Sequence, residues 1–345
     1  MNMSDVERCW GILPKVSRSF ALCIRVLPKP LDEQMMVSYL IYRIIDTIED
    51  SNAPVETKKE LFKQFVSLLS MRELDDESTE NCKTELLTKL NYTYERELLE
   101  NLQAVLQTYY SQPLMVRRSI RKWGREMADG MYKFQKKPID TFEDQNLYSY
   151  YVAGVIGYLF NDLLYYNRII TRSLKRKLHR YAREFGLALQ KVNILRDIAY
   201  DALSKRRYWP RMLLAKYGLS YGSLHLRENK DKALQALHEQ IRDAQQYLHS
   251  AIQYILLLPE NAIKVRRFCL IPLFMAIESY VKCANNYEVF ESGKVVKITR
   301  EQVHEIVEKS DRLGSSNERL MKWFTESMLK IEPVLVGEKP ASDIG

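Results

Sequence analysis

Residues 36–50 read MVSYLIYRIIDTIED and join a long apolar pattern to an acidic end. The apolar residues recur at intervals of three and four, which is the pattern of a helix with one buried face. They are Met36, Leu40, Ile44, Ile45 and Ile48. Most of the chain repeats this spacing, and strand-like alternation is rare. The sequence therefore predicts an all-α fold.

The composition is that of a globular helical protein. Of its 345 residues 46% are hydrophobic, and only 12 are glycine and 11 proline. Scarce turn residues indicate long elements, and no linker is long enough to separate domains. We expect about eight to ten helices, divided at Pro28–Pro30, Ser51–Pro54, Asp75–Ser78, Lys136–Pro138, Tyr208–Pro210 and Leu258–Pro259. The expected organisation is one helical domain over residues 1–332, followed by a disordered tail over residues 333–345.

Charge and cysteine content restrict the partners and the compartment. A net charge of +8 indicates an anionic partner, which is nucleic acid, a phospholipid surface or a phosphorylated metabolite. The five cysteines form no CxxC pair, which argues against a zinc site or a disulfide framework. The sequence predicts neither a signal peptide nor a membrane-spanning helix. We expect a cytoplasmic protein and a monomer.

The first acidic cluster ends the quoted stretch. Asp46, Glu49 and Asp50 lie at i, i+3 and i+4, so a helix places their carboxylates on one face. Acidic pairs at this spacing are common on solvated surfaces. The alternative to metal binding is that Arg43, one turn earlier, neutralises part of this negative charge. The strongly apolar flanks favour a buried setting, in which three carboxylates need more positive charge than one arginine supplies.

The second acidic cluster belongs to a more distant apolar segment. Gln190, Asn193, Asp197 and Asp201 are spaced i, i+3, i+7 and i+11, which predicts a polar stripe along one helix. Carboxylate and amide oxygens suit Mg²⁺, which is usually bound through few carboxylates together with substrate phosphates. Two such helices facing each other would form a clamp for magnesium and diphosphate.

Further motifs accompany the two clusters in a fixed order along the chain. They are SRSFA at 17–21, YSYYVAGVIG at 148–157, LQKVNILRD at 189–197, YWP at 208–210, FCLIP at 268–272 and the asparagines at 285–286. Together with the clusters, they resemble the squalene and phytoene synthase family of head-to-head isoprenoid coupling enzymes, and most of all its squalene synthase branch. The resemblance covers most of the chain and implies an all-α isoprenoid-synthase fold around a central cavity.

The resemblance implies a two-step reaction on two molecules of farnesyl diphosphate. Mg²⁺ assists ionisation of the diphosphate, presqualene diphosphate is the intermediate, and NADPH delivers the hydride that gives squalene. A non-reducing enzyme that makes dehydrosqualene, phytoene or presqualene diphosphate is the alternative within this fold. A basic helical nucleic-acid-binding protein is the alternative from another class, although no helix-turn-helix, zinc-finger or RNP-type signal supports it. Both C15 and C20 substrates are compatible with the sequence.

The resemblance also assigns roles to individual residues. Metal binding is implied for Asp46, Glu49, Asp50, Asn193, Asp197 and Asp201, of which the four aspartates are also catalytic. Tyr148 matches the tyrosine proposed to help remove a proton when the cyclopropane closes. Substrate or cofactor binding is implied for Ser17, Arg18, Phe20, Arg43, Gln190, Asn193, Arg196, Tyr254 and Lys297. For Tyr148, Phe20 and Tyr254, an ordinary position in the core is the alternative interpretation.

Residues 204–210 resemble the family's mobile flap, and a solvated basic loop is the alternative. Two positions depart from the pattern of the squalene synthase branch: Tyr200 stands where a carboxylate is usual, and Thr299 replaces an arginine in the basic segment implicated in NADPH binding. No GxGxxG fingerprint is present. The basic stretches 117–122 and 172–183 suggest peripheral contact with anionic membranes as a further hypothesis.

Overall fold

A computed structural model describes residues 3–90, 95–204, 206–294 and 296–331. Across these ranges the regular structure is α-helical, with one π-helical turn, two 3-10 turns and no strand, which confirms the predicted all-α fold. The predicted disordered tail, 333–345, lies outside the described residues. The chain forms two compact units, Met1–Lys137 with Gly154–His179 and Pro138–Ala153 with Arg180–Gly345. The single domain over residues 1–332 stays a prediction.

The first unit holds nine complete helices and the start of another. They are α1 (Asp5–Val16), α2 (Arg18–Arg25), α3 (Leu31–Asp50), α4 (Val55–Leu68), α5 (Asp76–Lys89), α6 (Arg96–Glu100), α7 (Leu102–Tyr110), α8 (Leu114–Lys136), α10 (Val155–Tyr166) and the beginning of α11 (Arg172–Arg196).

The second unit holds the remaining elements. They are α9 (Phe142–Ser149), the π-helical turn Tyr150–Gly154 up to Ala153, the rest of α11, α12 (Ile198–Leu203), α13 (Arg211–Lys216), α14 (Lys230–Leu257), α15 (Ile263–Cys283), α16 (Arg300–Leu313), α17 (Asn317–Leu329) and the 3-10 turns Arg227–Asn229 and Tyr287–Phe290.

All six predicted breaks lie between helices or include the first or last residues of one, which confirms them. The predicted number of helices is wrong, because the described ranges contain seventeen α-helices. The additional boundaries occur at residues that carry no strong breaking signal. Ser17 separates α1 from α2, Asn101 separates α6 from α7, and Asp197 separates α11 from α12.

The long helix α3 runs through the core of the first unit and places the first acidic cluster at its last turn. Its apolar residues Met36, Leu40, Ile44, Ile45 and Ile48 are all fully buried. Gly124 of α8 allows a close approach to α3, since a Cβ atom there would lie 3.1 Å from Cε1 of Tyr42. The Tyr42 hydroxyl also donates a hydrogen bond to the carbonyl of Ile120, at 3.1 Å.

The second unit is organised around the antiparallel helices α14 and α15, which are joined at the predicted break Leu258–Pro259. The Tyr280 hydroxyl of α15 donates to the carbonyl of Ala188 in α11, at 3.5 Å. Trp209 is fully buried, and its indole N–H donates to the carbonyl of Ile194, at 3.1 Å. These contacts hold the end of α11, where the second acidic cluster begins.

None of the helices in the described ranges combines the length and apolar character that crossing a bilayer requires.

Candidate active site

The first acidic cluster occupies the C-terminal turn of α3. The Asp46 side chain is 32% exposed and accepts a hydrogen bond from Arg43 Nη1 at 3.2 Å, while Glu49 is buried and Asp50 exposed. Burial raises the pKa of Asp46 to about 6; the guanidinium of Arg43 opposes this rise and the carboxylate of Asp50 adds to it. The turn therefore holds negative charge at an energetic cost, which a bound cation would relieve.

The expected pairing of Arg43 with Asp46 is present, but Arg43 also has a second partner. Its Nη2 atom donates to Glu95 Oε1 at 2.5 Å, so one guanidinium serves two carboxylates. Glu95 precedes α6 and was not singled out from the sequence. No local spacing relates it to α3, because only the tertiary fold brings the two segments together.

Helix α2 brings two of the predicted binding residues to the same part of α3. Ser17 caps α2 by accepting a hydrogen bond from the Phe20 amide at 3.2 Å, and the Phe20 ring lies 5.4 Å from that of Tyr39. Burial raises the pKa of Tyr39, with Arg43 and a hydrogen bond to Ser17 opposing the rise. Sequence reasoning missed Tyr39, although it precedes Arg43 by one turn on the same helical face. Arg18 is exposed.

The second acidic cluster does not lie on one helix, so this prediction is wrong in its local geometry. Helix α11 ends at Arg196, and Asp197 is the N-cap residue of α12, with φ −95° and ψ 11°. The amide of Asp197 still donates to the carbonyl of Asn193 at 2.9 Å, and that of Asp201 to the carbonyl of Asp197 at 2.8 Å. Both hydrogen bonds span four residues, as in an α-helix, so Asn193, Asp197 and Asp201 stay close to one another across the break.

Basic side chains contact both aspartates of this second cluster. Arg196 donates to Asp197 in a bidentate arrangement, with Nε–Oδ1 at 2.7 Å and Nη2–Oδ2 at 2.6 Å. Arg206 Nε lies 3.4 Å from Asp201 Oδ1. Asn193 Nδ2 donates to Gln190 Oε1 at 3.4 Å, as their spacing on α11 allows. The predicted residues 190, 193, 196, 197 and 201 are therefore adjacent in the second unit.

Tyr200, which departs from the family pattern, is 57% exposed and lies under the guanidinium of Arg206, 5.4 Å from the ring centroid. Asp201, the next residue, is by contrast buried. Lys205, which belongs to the predicted flap, lies outside the described residues. The end of that flap is well anchored, because the carbonyl of Tyr208 accepts a hydrogen bond from Gln145 at 2.9 Å and Trp209 is buried.

Two of the predicted aromatic residues are buried in the second unit. Tyr148, in the last turn of α9, is 2% exposed and stacks on Tyr208 with ring centroids 4.6 Å apart. The motif residues after it form the π-helical turn Tyr150–Gly154, an arrangement that is frequent at functional sites. Tyr254 is also 2% exposed and meets the edge of Phe185, with burial raising its pKa well above the usual value.

The segment with the predicted cofactor residue Lys297 lies at the start of α16. Lys297 is exposed, and its carbonyl accepts a hydrogen bond from Lys282 Nζ at 3.2 Å. Thr299 caps α16: its hydroxyl accepts from the Gln302 amide at 3.2 Å, and its own amide donates to Gln302 Oε1 at 3.0 Å. The threonine at this departure from the family pattern therefore has a structural role as a helix cap.

The donor set of the two acidic clusters fits Mg²⁺. Within the ranges that the structure describes, no three acidic, histidine or cysteine side chains come together as a metal-binding group. Mg²⁺ does not require such a group, because it keeps several waters and binds through one or two carboxylates plus substrate phosphates. Asp46 with Asp50 in the first unit and Asp197 with Asp201 in the second each supply two carboxylates one turn apart.

Comparison with known proteins points to one family. The family model described as squalene/phytoene synthase matches residues 13–302. The squalene synthase of Schizosaccharomyces pombe is 30% identical over 338 residues, which is 95% of this chain and 70% of the relative. That of Solanum lycopersicum is 31% identical over 313 residues, covering 89% of this chain and 71% of the relative.

Solved structures of similar fold come from the same group of enzymes. The structure of TcSQS with the ligand E5700 is similar with a TM-score of 0.84 and 28% identity, over 97% of each chain. A dehydrosqualene synthase shares the fold, with a TM-score of 0.59 and 19% identity over 89% of this chain and 95% of the other. Because the family model spans most of the sequence and the curated relatives align along most of it, this chain belongs to the squalene/phytoene synthase family.

Proposed function

We propose that the chain is a farnesyl-diphosphate farnesyltransferase of the squalene synthase type, which couples two farnesyl diphosphates head to head and reduces the product to squalene. The observation that carries the proposal is the presence of both carboxylate pairs at helix ends in a chain that aligns over 95% of its length with a curated squalene synthase. The sequence resemblance predicted the same activity, and the comparisons support it.

Mg²⁺ is the cofactor that this site implies, with Asp46, Asp50, Asp197 and Asp201 as its carboxylate ligands and Glu49 and Asn193 beside them. When bound, it would neutralise charge on the diphosphate leaving group. Arg43 and Arg196 already contact these clusters, and their planar guanidinium groups suit diphosphate oxygens. We propose that Arg43 and Arg196, which donate to Asp46 and Asp197, donate to the diphosphate when substrate binds.

Tyr148 is proposed to help remove the proton when the cyclopropane closes in the coupling step. Its burial and its stacking on Tyr208 restrict the ring to one orientation and keep bulk water from the phenol. Ser17, which caps α2, and Phe20 of α2 lie beside Tyr39, one turn of α3 from Arg43. This position suits a binding site where the diphosphate end of the substrate meets its apolar chain. Tyr254 is proposed as a wall residue of the prenyl site.

NADPH is the proposed reductant, and it would supply the hydride of the second step. Lys297 is exposed near Lys282 and Arg300, so three basic residues gather around the start of α16. Such a group suits the phosphates of a dinucleotide. This assignment, like those of Gln190 and Arg18 to substrate binding, is a proposal from the family resemblance.

Product analysis tests the proposed function. Purified protein is incubated with Mg²⁺ and either farnesyl or geranylgeranyl diphosphate, with and without NADPH, and the products are identified by mass spectrometry. We expect squalene from farnesyl diphosphate only when NADPH is present. Dehydrosqualene, phytoene or presqualene diphosphate that is unchanged by NADPH would establish the non-reducing alternative instead. Salt-sensitive binding of nucleic acid without magnesium-dependent turnover would favour the alternative from another class.

We propose peripheral contact with an anionic membrane as a second function, and two basic segments of the first unit support it, residues 117–122 and the part of stretch 172–183 that ends at residue 179. Lys122 Nζ of α8 lies 4.0 Å from the ring centroid of Trp123, which lies 5.0 Å from that of Tyr158. Tyr158 in turn stacks on His179 of α11, at 4.2 Å. Stretch 117–122 and residues 172–179 thus share one surface, which also carries exposed Met115. A C30 hydrocarbon product needs an apolar phase, which a bilayer supplies.

Co-sedimentation with liposomes tests this contact. Each basic residue near a bilayer surface contributes about 1 kcal/mol of binding, so Arg118→Glu/Lys122→Glu is expected to weaken binding to phosphatidylserine vesicles by at least about 30-fold. The control Lys29→Glu/Lys63→Glu makes the same change of charge at exposed positions elsewhere in the first unit. Binding that does not depend on anionic lipid, or equal losses in both variants, would contradict the proposal.

A further inference from the structure

The second unit contains a buried lysine that the proposed reaction does not use. The side chain of Lys191 is 2% exposed and lies on α11 between the site residues Gln190 and Asn193. Its ammonium group forms an ion pair with Asp243 of α14 and donates a hydrogen bond to Gln145 Oε1 at 2.8 Å. Burying a charge costs free energy unless its partners are well placed, so the position of this group is strongly constrained.

Gln145 extends the contact from Lys191 towards the site. It is fully buried on α9, one turn before Tyr148, and its Nε2 atom donates to the carbonyl of Tyr208 at 2.9 Å. The ring of Tyr208 is nearly parallel to that of Tyr148, with centroids 4.6 Å apart and an interplanar angle of 16°. Five residues therefore form one continuous series of contacts: Asp243, Lys191, Gln145, Tyr208 and Tyr148.

We infer that Lys191 is a positioning residue which, through Gln145, holds Tyr208 against Tyr148 and so fixes the orientation of the Tyr148 phenol. The inference rests on the proposed function, because it gives Tyr148 that role. The ion pair with Asp243 alone would neutralise the charge of Lys191. The additional hydrogen bond to Gln145 connects Lys191 to Tyr208, because Gln145 also bonds the Tyr208 carbonyl. Gln145 is suited to this part because its amide accepts from Lys191 and donates to Tyr208 at the same time.

The contacts predict a specific kinetic effect. Loss of the bond between Gln145 and Tyr208 leaves the metal and diphosphate ligands in place but lets the two rings shift. A displacement of about 1 Å in a reacting group costs up to about 100-fold in rate. The cost appears in kcat, whereas KM for farnesyl diphosphate stays within about twofold, because the lost interaction orients a group that acts in the transition state.

A double-mutant cycle tests the inference. Gln145→Met and Lys191→Met are each made in the wild type and in Tyr148→Phe, and kcat and KM are measured for farnesyl diphosphate. We expect each change to lower kcat about 10- to 100-fold in the wild type and to have no further effect in Tyr148→Phe, because both act through the same phenol. An equal loss in the Tyr148→Phe background would overturn the inference.

Arg266→Met is the matched control, because Arg266 is another fully buried cation of the second unit. It bonds Asn317 of α17 and has no place in the series of contacts to Tyr148. We expect it to change the melting temperature while kcat stays within about twofold of the wild type. A loss of kcat equal to that of Lys191→Met would mean that any buried cation has this effect, and would overturn the positioning role.

Amide hydrogen exchange provides a measurement that does not depend on activity. Gln145→Met keeps the ion pair between Lys191 and Asp243, so it is the variant to use if Lys191→Met does not fold. We expect exchange at the amides of Tyr208 and Trp209 to become about 10-fold faster in Gln145→Met, because the bond that anchors the carbonyl of Tyr208 is gone. Unchanged exchange would overturn the inference. A wild type that makes no coupled product would instead overturn the proposed function, and exchange would still decide the structural link.

Discussion

Asp46 shows, at the level of a single residue, that negative charge in the site has an energetic cost. Burial raises its pKa to about 6, and the charge of Asp50 acts in the same direction, against the guanidinium of Arg43. The sequence predicted the carboxylates and Arg43 as their neighbour, because these positions follow from helical spacing. It did not predict Glu95, which shares Arg43 only through the tertiary fold.

Phe20 allows a prediction about the prenyl site. Its ring packs against Tyr39 beside Arg43, so removing it is expected to enlarge the substrate site near the diphosphate. Phe20→Ala should raise the use of geranylgeranyl relative to farnesyl diphosphate by about 10-fold, as one pocket contact typically does. The control Phe65→Leu alters a fully buried ring of α4. A less stable Phe20→Ala protein with unchanged selectivity would show that Phe20 is an ordinary core residue.

The helices follow sequence signals where these are strong and depart from them where they are weak. Proline-containing breaks were predicted, because proline lacks an amide hydrogen and restricts its neighbours. The break at Asp197 was not, since aspartate is compatible with both a helix interior and a cap. Close to this break, the indole N–H of Trp209, which is distant in sequence, donates to the carbonyl of Ile194 near the end of α11. A short sequence motif does not contain that information.

Asp162 joins three helices of the first unit, which gives a prediction about stability and pH. Its carboxylate accepts from Trp123 Nε1 at 3.0 Å and Ser119 Oγ at 2.5 Å on α8, and pairs with Lys175 of α11 at 2.5 Å. Burial raises the pKa of Asp162, but hydrogen bonds from Lys175, Ser119 and Trp123 outweigh it and hold the pKa below its usual value. The ionised form therefore stabilises the fold.

Asp162→Asn is expected to lower the free energy of unfolding at pH 7 by about 1–3 kcal/mol. A folded-state pKa below the unfolded value stabilises at neutral pH, and this contribution is lost as the pH falls below about 4. Urea unfolding at pH 7 and pH 3 should thus show a difference from the wild type that shrinks at pH 3. Exposed Asp129→Asn is the control. The same loss at both pH values would contradict this role of the charge.

At the scale of the whole molecule, the two acidic clusters belong to different compact units, the first to residues 1–137 with 154–179 and the second to 138–153 with 180–345. The order of motifs along the sequence predicted the family and the all-α fold, which the structure and the comparisons confirm. Two features were not predictable: the division of the chain into units, and the network from Lys191 to Tyr208. Both depend on contacts between segments that are distant in sequence.

In the proposed reaction, both aspartate pairs take part in magnesium-dependent ionisation of an isoprenoid diphosphate. The most direct measurement is the rate of diphosphate release from farnesyl diphosphate at varied Mg²⁺ in the wild type, Asp46→Asn and Asp197→Asn. We predict release that requires Mg²⁺ in the wild type and falls at least about 100-fold in each variant, with the helical circular dichroism unchanged. Release that continues without Mg²⁺, or at the wild-type rate in either variant, would contradict the claim.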